Sequence, residues 1–133
     1  MAGTALAAHF FGGDCQVYAG EPYEADDAYR SFYSGTLQGN TTTNTMADGL
    51  KTMLGDTSFP IIAKYASGII RVTEKEILES MRLLWERLKI TAEPSSAVAL
   101  AALISAKSEF KGQKVGLIIS GGNVDLDLLP FHP

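Results

Sequence analysis

The sequence predicts an α/β fold: a partial, open, mostly parallel sheet flanked by helices. Two runs, Gly68-Ile69-Ile70-Arg71-Val72 and Val115-Gly116-Leu117-Ile118-Ile119, are short, apolar and β-branched, as buried strands are. Helical patterns separate them, and strands alternating with helices at these distances imply right-handed crossovers and parallel pairing. A further short strand, Gln16 to Ala19, is expected ahead of another helix.

Taken in order, Ala2 to Phe11 is alanine-rich and apolar and reads as a helix stopped by Gly12-Gly13. Glu24 to Tyr33 reads as a helix that opens on acids, which suits the positive end of its dipole. Gly35 to Thr45 is polar and rich in Gly, Asn and Thr, so it reads as a loop. Phe59 to Ala66 is a short helix, followed by the strand Gly68 to Val72.

The clearest helical pattern runs from Glu74 to Lys89. Thr73 can cap it, and Glu76 three residues later completes a capping box. Ile77, Met81, Leu84, Trp85 and Leu88 then share one apolar face. Pro94 starts a second helix, Ser95 to Lys107, apolar on nearly every side and therefore expected to be buried. Gly112 turns the chain into a strand from Lys114 to Ile119. The first helix has no strand ahead of it to pack against, which favours a truncated domain.

The bulk numbers narrow the function classes. The chain has 133 residues, enough for one domain with a real core. Hydrophobic residues make up 46% and charged residues 20%, as in ordinary globular proteins. A net charge of −4 gives no electrostatic reason to expect nucleic acid or an anionic membrane as partner. One cysteine, Cys15, excludes an internal disulfide and fits a reducing, cytoplasmic setting. No apolar run approaches the ~20 residues of a spanning helix. His9 and His132, the two histidines, have no nucleophile or metal-ligand spacing around them, and His9 reads as a packed residue.

Chemistry is most legible at Ser120-Gly121-Gly122-Asn123-Val124-Asp125-Leu126, directly after an expected strand. In open α/β sheets ligands sit at the carboxyl ends of strands. Ser120 can equally cap the strand end, and spacing alone favours that structural reading. Glu21, Glu24, Asp26 and Asp27 cluster beyond a strand, where carboxylates and a free carbonyl can hold a hard cation. They read as well as the acidic start of a helix. Gly49 suits either a close backbone approach or a turn with positive φ. Glu93 reads on its own as a solvated acid before a proline-initiated helix.

Four segments, read in order, resemble the second half of the serine racemase and threonine dehydratase family, pyridoxal-phosphate enzymes of fold type II. They are Gly20-Glu21-Pro22 through Asp26-Asp27, Met46-Ala47-Asp48-Gly49-Leu50, Leu84-Trp85-Glu86-Arg87 through Glu93-Pro94-Ser95, and the Ser120 motif. The resemblance covers residues 1–133 as a single partial domain, the C-terminal part of the family's length. It implies that the Ser120 hydroxyl meets the pyridine nitrogen of pyridoxal 5'-phosphate, and that Gly49, Gly121 and Glu93 lie at the cofactor. It implies Glu21, the Ala25 carbonyl and Asp27 as ligands of Mg2+ or Ca2+. Lys89 and Asn123 match positions that touch a nucleotide effector in some serine racemases.

The implied activity of the whole enzyme is β-elimination of L-serine or L-threonine to a 2-oxo acid and ammonia, racemisation of serine, or both, in a homodimer. The Schiff-base lysine and the glycine-rich phosphate loop of the family have no counterpart in the sequence, so no catalytic residue is assigned. A non-catalytic binding or split-subunit module is the alternative. One departure stands out: relatives commonly have glycine after Glu-Pro-Ser, where this chain has Ser96.

Overall fold

The computed structural model describes residues 1–125. Leu126, the last residue of the Ser120 motif, and His132 lie outside the described residues. Among those described, the order is α1 (Ala2–Phe11), β1 (Tyr18–Pro22), α2 (Asp27–Ser34), α3 (Ser58–Tyr65), β2 (Gly68–Val72), α4 (Glu74–Leu83) and α5 (Pro94–Ser105). Short 3-10 turns at Tyr23–Ala25 and Asp48–Leu50 and a π turn at Leu84–Leu88 punctuate them.

The sheet is parallel, as expected, with β1 beside β2 in the register Tyr18–Gly68 to Pro22–Val72. Helix α5 packs on both strands and on α4, while α1 packs on α3. Gly20 permits the close approach of β1 to α5, because a Cβ there would stand 2.6 Å from the Val98 carbonyl oxygen. The core joins Val72 of β2, Ile77, Met81 and Leu84 of the α4 face, and Ala97, Val98, Ala101 and Ala102 of α5. Burying each of the three large α4-face side chains contributes about 1.5–3 kcal/mol. The Thr73 capping box is formed: the Thr73 hydroxyl accepts the Glu76 amide while Glu76 accepts the Thr73 amide.

Four elements differ from expectation. The first strand lies two to three residues later, Tyr18–Pro22 rather than Gln16–Ala19. The helix expected from Glu24 breaks at Asp26, because the amides of Ala28 and Tyr29 turn to the Glu21 carboxylate. The Glu74–Lys89 helix widens into a π turn after Leu83, which rotates Leu88 off the apolar face into solvent. Residues 114–119 form no strand: the segment runs beside β1 but is separated from it by a cleft of about 600 Å3. A β-branched run becomes a strand only when a neighbour supplies ladder hydrogen bonds.

Candidate functional site

The first turn of α5 gathers the segments that sequence reasoning singled out. Glu93 is the extended residue before the helix, and Pro94 fills the first helical position. The Glu93 amide donates to the Gly121 carbonyl at 3.2 Å, and its Oε2 accepts the Asn123 amide at 3.0 Å. Ser95 Oγ accepts the Gly49 amide at 3.0 Å. The Ser96 hydroxyl, 2% exposed, lies 3.2 Å from Ser120 Oγ, accepts the Gly121 amide at 2.8 Å and donates to the Gly121 carbonyl at 2.8 Å. Gly49, Ser120, Gly121 and Asn123 are thus pinned to residues 93–96 of one helix start.

The glycines are there for room. A Cβ on Gly121 would stand 2.9 Å from Glu93 Oε1, and one on Gly122 would run into the Thr91 carbonyl. At Gly49, whose φ is not positive, a Cβ would stand 3.0 Å from Ser95 Oγ. Close approach, not turn conformation, is therefore its reason. The loop ahead of Gly49 is held from the other side, where Glu74 Oε2 accepts the Met46 amide at 2.7 Å.

Ser120 is exposed, and Ser96 is the one hydrogen-bond partner of its hydroxyl among the described residues. A hydroxyl has one proton and two acceptor lone pairs, so Ser120 keeps capacity for a ligand. An exposed neutral hydroxyl with spare hydrogen-bonding capacity suits a cofactor ring that carries a nitrogen to pair. Lys89 stands at φ 57 where the π turn ends, and no hydrogen bond or ion pair joins it to Asn123 among the described residues.

The acidic segment is a second, separate cluster. Glu21 is 9% exposed, and burial pushes its carboxyl up to about 7. The Tyr29 and Ala28 amides, at 2.6 and 3.1 Å, pull it down, while the charges of Asp27 and Asp26 push it further up. Asp27 is 1% exposed and its Oδ2 accepts the Leu54 amide at 2.5 Å. Asp26 turns the other way, to Arg30 at 2.7 Å and Arg71 at 2.8 Å. Burial raises Asp26, but the two guanidinium groups outweigh it and hold its carboxyl below the usual range.

The amides that would close a helical turn on the Ala25 carbonyl, those of Ala28 and Tyr29, go to Glu21 instead. Among the described residues no three His, Cys, Asp or Glu side chains are grouped to hold a metal. The donors that the resemblance implies, the Glu21 and Asp27 carboxylates and the Ala25 carbonyl, are all oxygen, the kind that a hard divalent cation takes.

Sequence reasoning missed the parts played by Glu74, Ser95 and Ser96. The paired serines opening an apolar helix were the available signal, since buried hydroxyls must find partners.

The family described as "Pyridoxal-phosphate dependent enzyme" matches residues 1–121. The chain belongs to that family. It is 51% identical over 132 residues to the serine racemase of Dictyostelium discoideum, covering 95% of this chain and 40% of that protein. The crystal structure of that racemase superposes with a TM-score of 0.86 at 50% identity, over 94% of this chain and 40% of the other. The beta-hydroxyaspartate dehydratase of Paracoccus denitrificans (strain Pd 1222) is 41% identical over 132 residues, 99% of this chain and 42% of its own length. The crystal structure of a threonine deaminase from T.th. gives a TM-score of 0.88 at 38% identity, over 93% of this chain and 46% of that one.

The resemblance to serine racemases and threonine dehydratases and the α/β fold with its parallel sheet are borne out. The chain spans about 40% of the length of the curated relatives it matches. Among the described residues no helix is long and apolar enough to cross a membrane.

Proposed function

We propose that this chain is the C-terminal part of a pyridoxal-phosphate-dependent enzyme acting on small β-hydroxy amino acids, L-serine or L-threonine. Its reaction is β-elimination to a 2-oxo acid and ammonia, racemisation of serine, or both. The observation that carries the reading is the convergence of Gly49, Ser120, Gly121 and Asn123 on the single helix start Glu93–Ser96. Relatives named as a racemase and a dehydratase, matched over nearly the whole chain, support it.

Bound there, the cofactor supplies an electron sink that acidifies the substrate α-carbon. This chain's residues orient and tune it. Ser120 offers a neutral hydroxyl to the ring nitrogen, while Gly49 and Gly121 let backbone come close. Glu93 holds the Gly121–Asn123 turn in place from behind. The Schiff-base lysine and the phosphate loop come from the remaining part of the protein, which acts as a homodimer in the cytoplasm. Glu21, Asp27 and the Ala25 carbonyl hold Mg2+ or Ca2+, tying β1 to the start of α2. Lys89 and Asn123 contact a nucleotide effector.

The second reading, a split-subunit or binding module made at this length, draws support from apolar surface left uncovered, with Phe10, Phe11 and Ile118 all exposed.

The test is to supply the full-length protein and pyridoxal phosphate with L-serine and L-threonine, and to measure 2-oxo acid and D-serine. Product from either substrate is expected, with a fall of about fivefold or more in Ser120→Ala, the worth of one neutral hydrogen bond. No product from either amino acid overturns the reading.

A further inference from the structure

We propose that Arg71 and Glu109 bind a free α-amino acid with an aromatic or apolar side chain, in a tyrosine-walled pocket that shares no residue with the helix start Glu93–Ser96. The pocket holds about 450 Å3, within the range of small-molecule sites. Tyr18 of β1, Tyr23, Tyr29 and Tyr33 line it together with Arg71 of β2 and Glu109. Two of the rings pack on the cation: the Arg71 guanidinium carbon lies 4.0 Å from the Tyr29 ring centroid and 4.6 Å from that of Tyr23. Two others are held by their hydroxyls, Tyr33 donating to the Ile69 carbonyl at 3.3 Å and Tyr18 to Gln16 Oε1 at 3.2 Å. Tyr18, Tyr23 and Tyr33 are nevertheless all exposed, so ring surface is left bare around one guanidinium.

Arg71 is short of acceptors. Its guanidinium carries five N–H donors in a planar fork. Asp26 takes Nη1 at 2.8 Å, whereas Nε is buried without a partner and Nη2 makes no hydrogen bond among the described residues. Nε and Nη2 form one edge of the fork, an edge that takes the two oxygens of a carboxylate in parallel. A buried donor left unpaired is costly, so this edge calls for an acceptor. Charge agrees, because Arg30 and Arg71 share the single carboxylate of Asp26, two positive charges against one negative. Glu109 brings the opposite sign to the same pocket and has no ion-pair partner among the described residues. A guanidinium for a carboxylate, a carboxylate for an ammonium and phenol rings for a side chain are what a zwitterionic amino acid requires.

The test is isothermal titration calorimetry on the full-length protein with its cofactor bound, using L-phenylalanine and its des-amino analogue 3-phenylpropionate. The amino acid is expected to bind saturably and about threefold more tightly than the analogue, the worth of one exposed ion pair. Arg71→Lys keeps the charge but loses the planar fork, and should weaken both ligands about tenfold, one charged hydrogen bond. Glu109→Gln, at an exposed turn position, should weaken the amino acid alone, to the level of the analogue. Absence of saturable binding overturns the proposal, as does binding that both variants leave unchanged. If Arg71→Lys weakens binding while Glu109→Gln and the missing amino group make no difference, the amino-acid assignment is overturned and the pocket takes a plain carboxylate.

Discussion

Glu93 and Gly121 are locked at two points: the Glu93 amide donates to the Gly121 carbonyl at 3.2 Å, and Glu93 Oε1 lies where a Gly121 Cβ would be only 2.9 Å away. No side chain longer than hydrogen fits at position 121 without displacing the carboxylate that also holds the Asn123 amide. Gly121→Ala should destabilise the full-length protein by about 1 kcal/mol, the worth of the Asn123 amide bond that the displaced Glu93 carboxylate gives up. It should also weaken cofactor binding, because the Ser120 turn moves with it. Thermal unfolding and cofactor titration check the two effects separately, and unchanged values in both would contradict the tight approach.

The capping box at Thr73 gives a prediction with a defined pH sense. Hydrogen bonds from the Thr73 amide and hydroxyl hold the Glu76 carboxyl below its ordinary range. A carboxyl depressed in the folded state contributes stability that is present in full above its unfolded value, about 4.3 for glutamate. That stability is lost as pH falls through the lower folded value. Thr73→Ala should cost about 1 kcal/mol at neutral pH. The gap between wild type and variant should narrow as the pH drops below the ordinary glutamate range. Denaturant melts at neutral and acid pH measure it, and a gap that widens in acid would show the cap acting differently.

Divalent cations should stabilise the protein through the Glu21–Asp27 cluster. Millimolar Mg2+ or Ca2+ is expected to raise the melting temperature of the full-length protein, and Asp27→Asn to abolish the rise. The asparagine side-chain oxygen can still accept the Leu54 amide, so the melting temperature without cation should change little. A cation effect that survives Asp27→Asn would remove Asp27 from the ligand set.

The 133-residue polypeptide by itself should bind a dye that reports exposed apolar surface. Phe11 is 89% exposed and Ile118 62%, while a cleft separates β1 from residues 114–118. Cooperative unfolding with no dye binding would mean that these faces are covered within the chain.

What the sequence made legible was whatever depends on neighbours close in the chain. β2 lies where its β-branched run put it, from Gly68 to Val72, and the Thr73–Glu76 box formed as its spacing implies. α5 starts one residue early at Pro94 and ends two before the expected Lys107, with most of its small residues buried. What stayed hidden depends on partners distant in sequence. Tyr18–Pro22 contains a glycine and a proline, residues that weaken a local strand pattern, and pairing with β2 makes it a strand. The break at Asp26 follows from a carboxylate five residues earlier taking helix amides. Residues 114–119 have strand composition but no ladder, a difference no local pattern records.

The candidate site divides the same way. Ser120, Gly121, Gly49 and Glu93 were legible as motif residues, and the structure brings them to one helix start. Ser95 was legible only as part of the Glu93-Pro94-Ser95 motif and Ser96 only as a departure from its relatives, because their contacts are to Gly49 and Ser120, 46 and 24 residues away.

The measurement that tests the central claim most directly is the intact mass of the protein purified from its own source. If this chain is the C-terminal part of a pyridoxal-phosphate enzyme, the mass should exceed twice the 14.2 kDa of these 133 residues, as expected from a segment spanning about 40% of its relatives. A mass of 14.2 kDa would contradict that account and make the split-subunit module the reading to pursue.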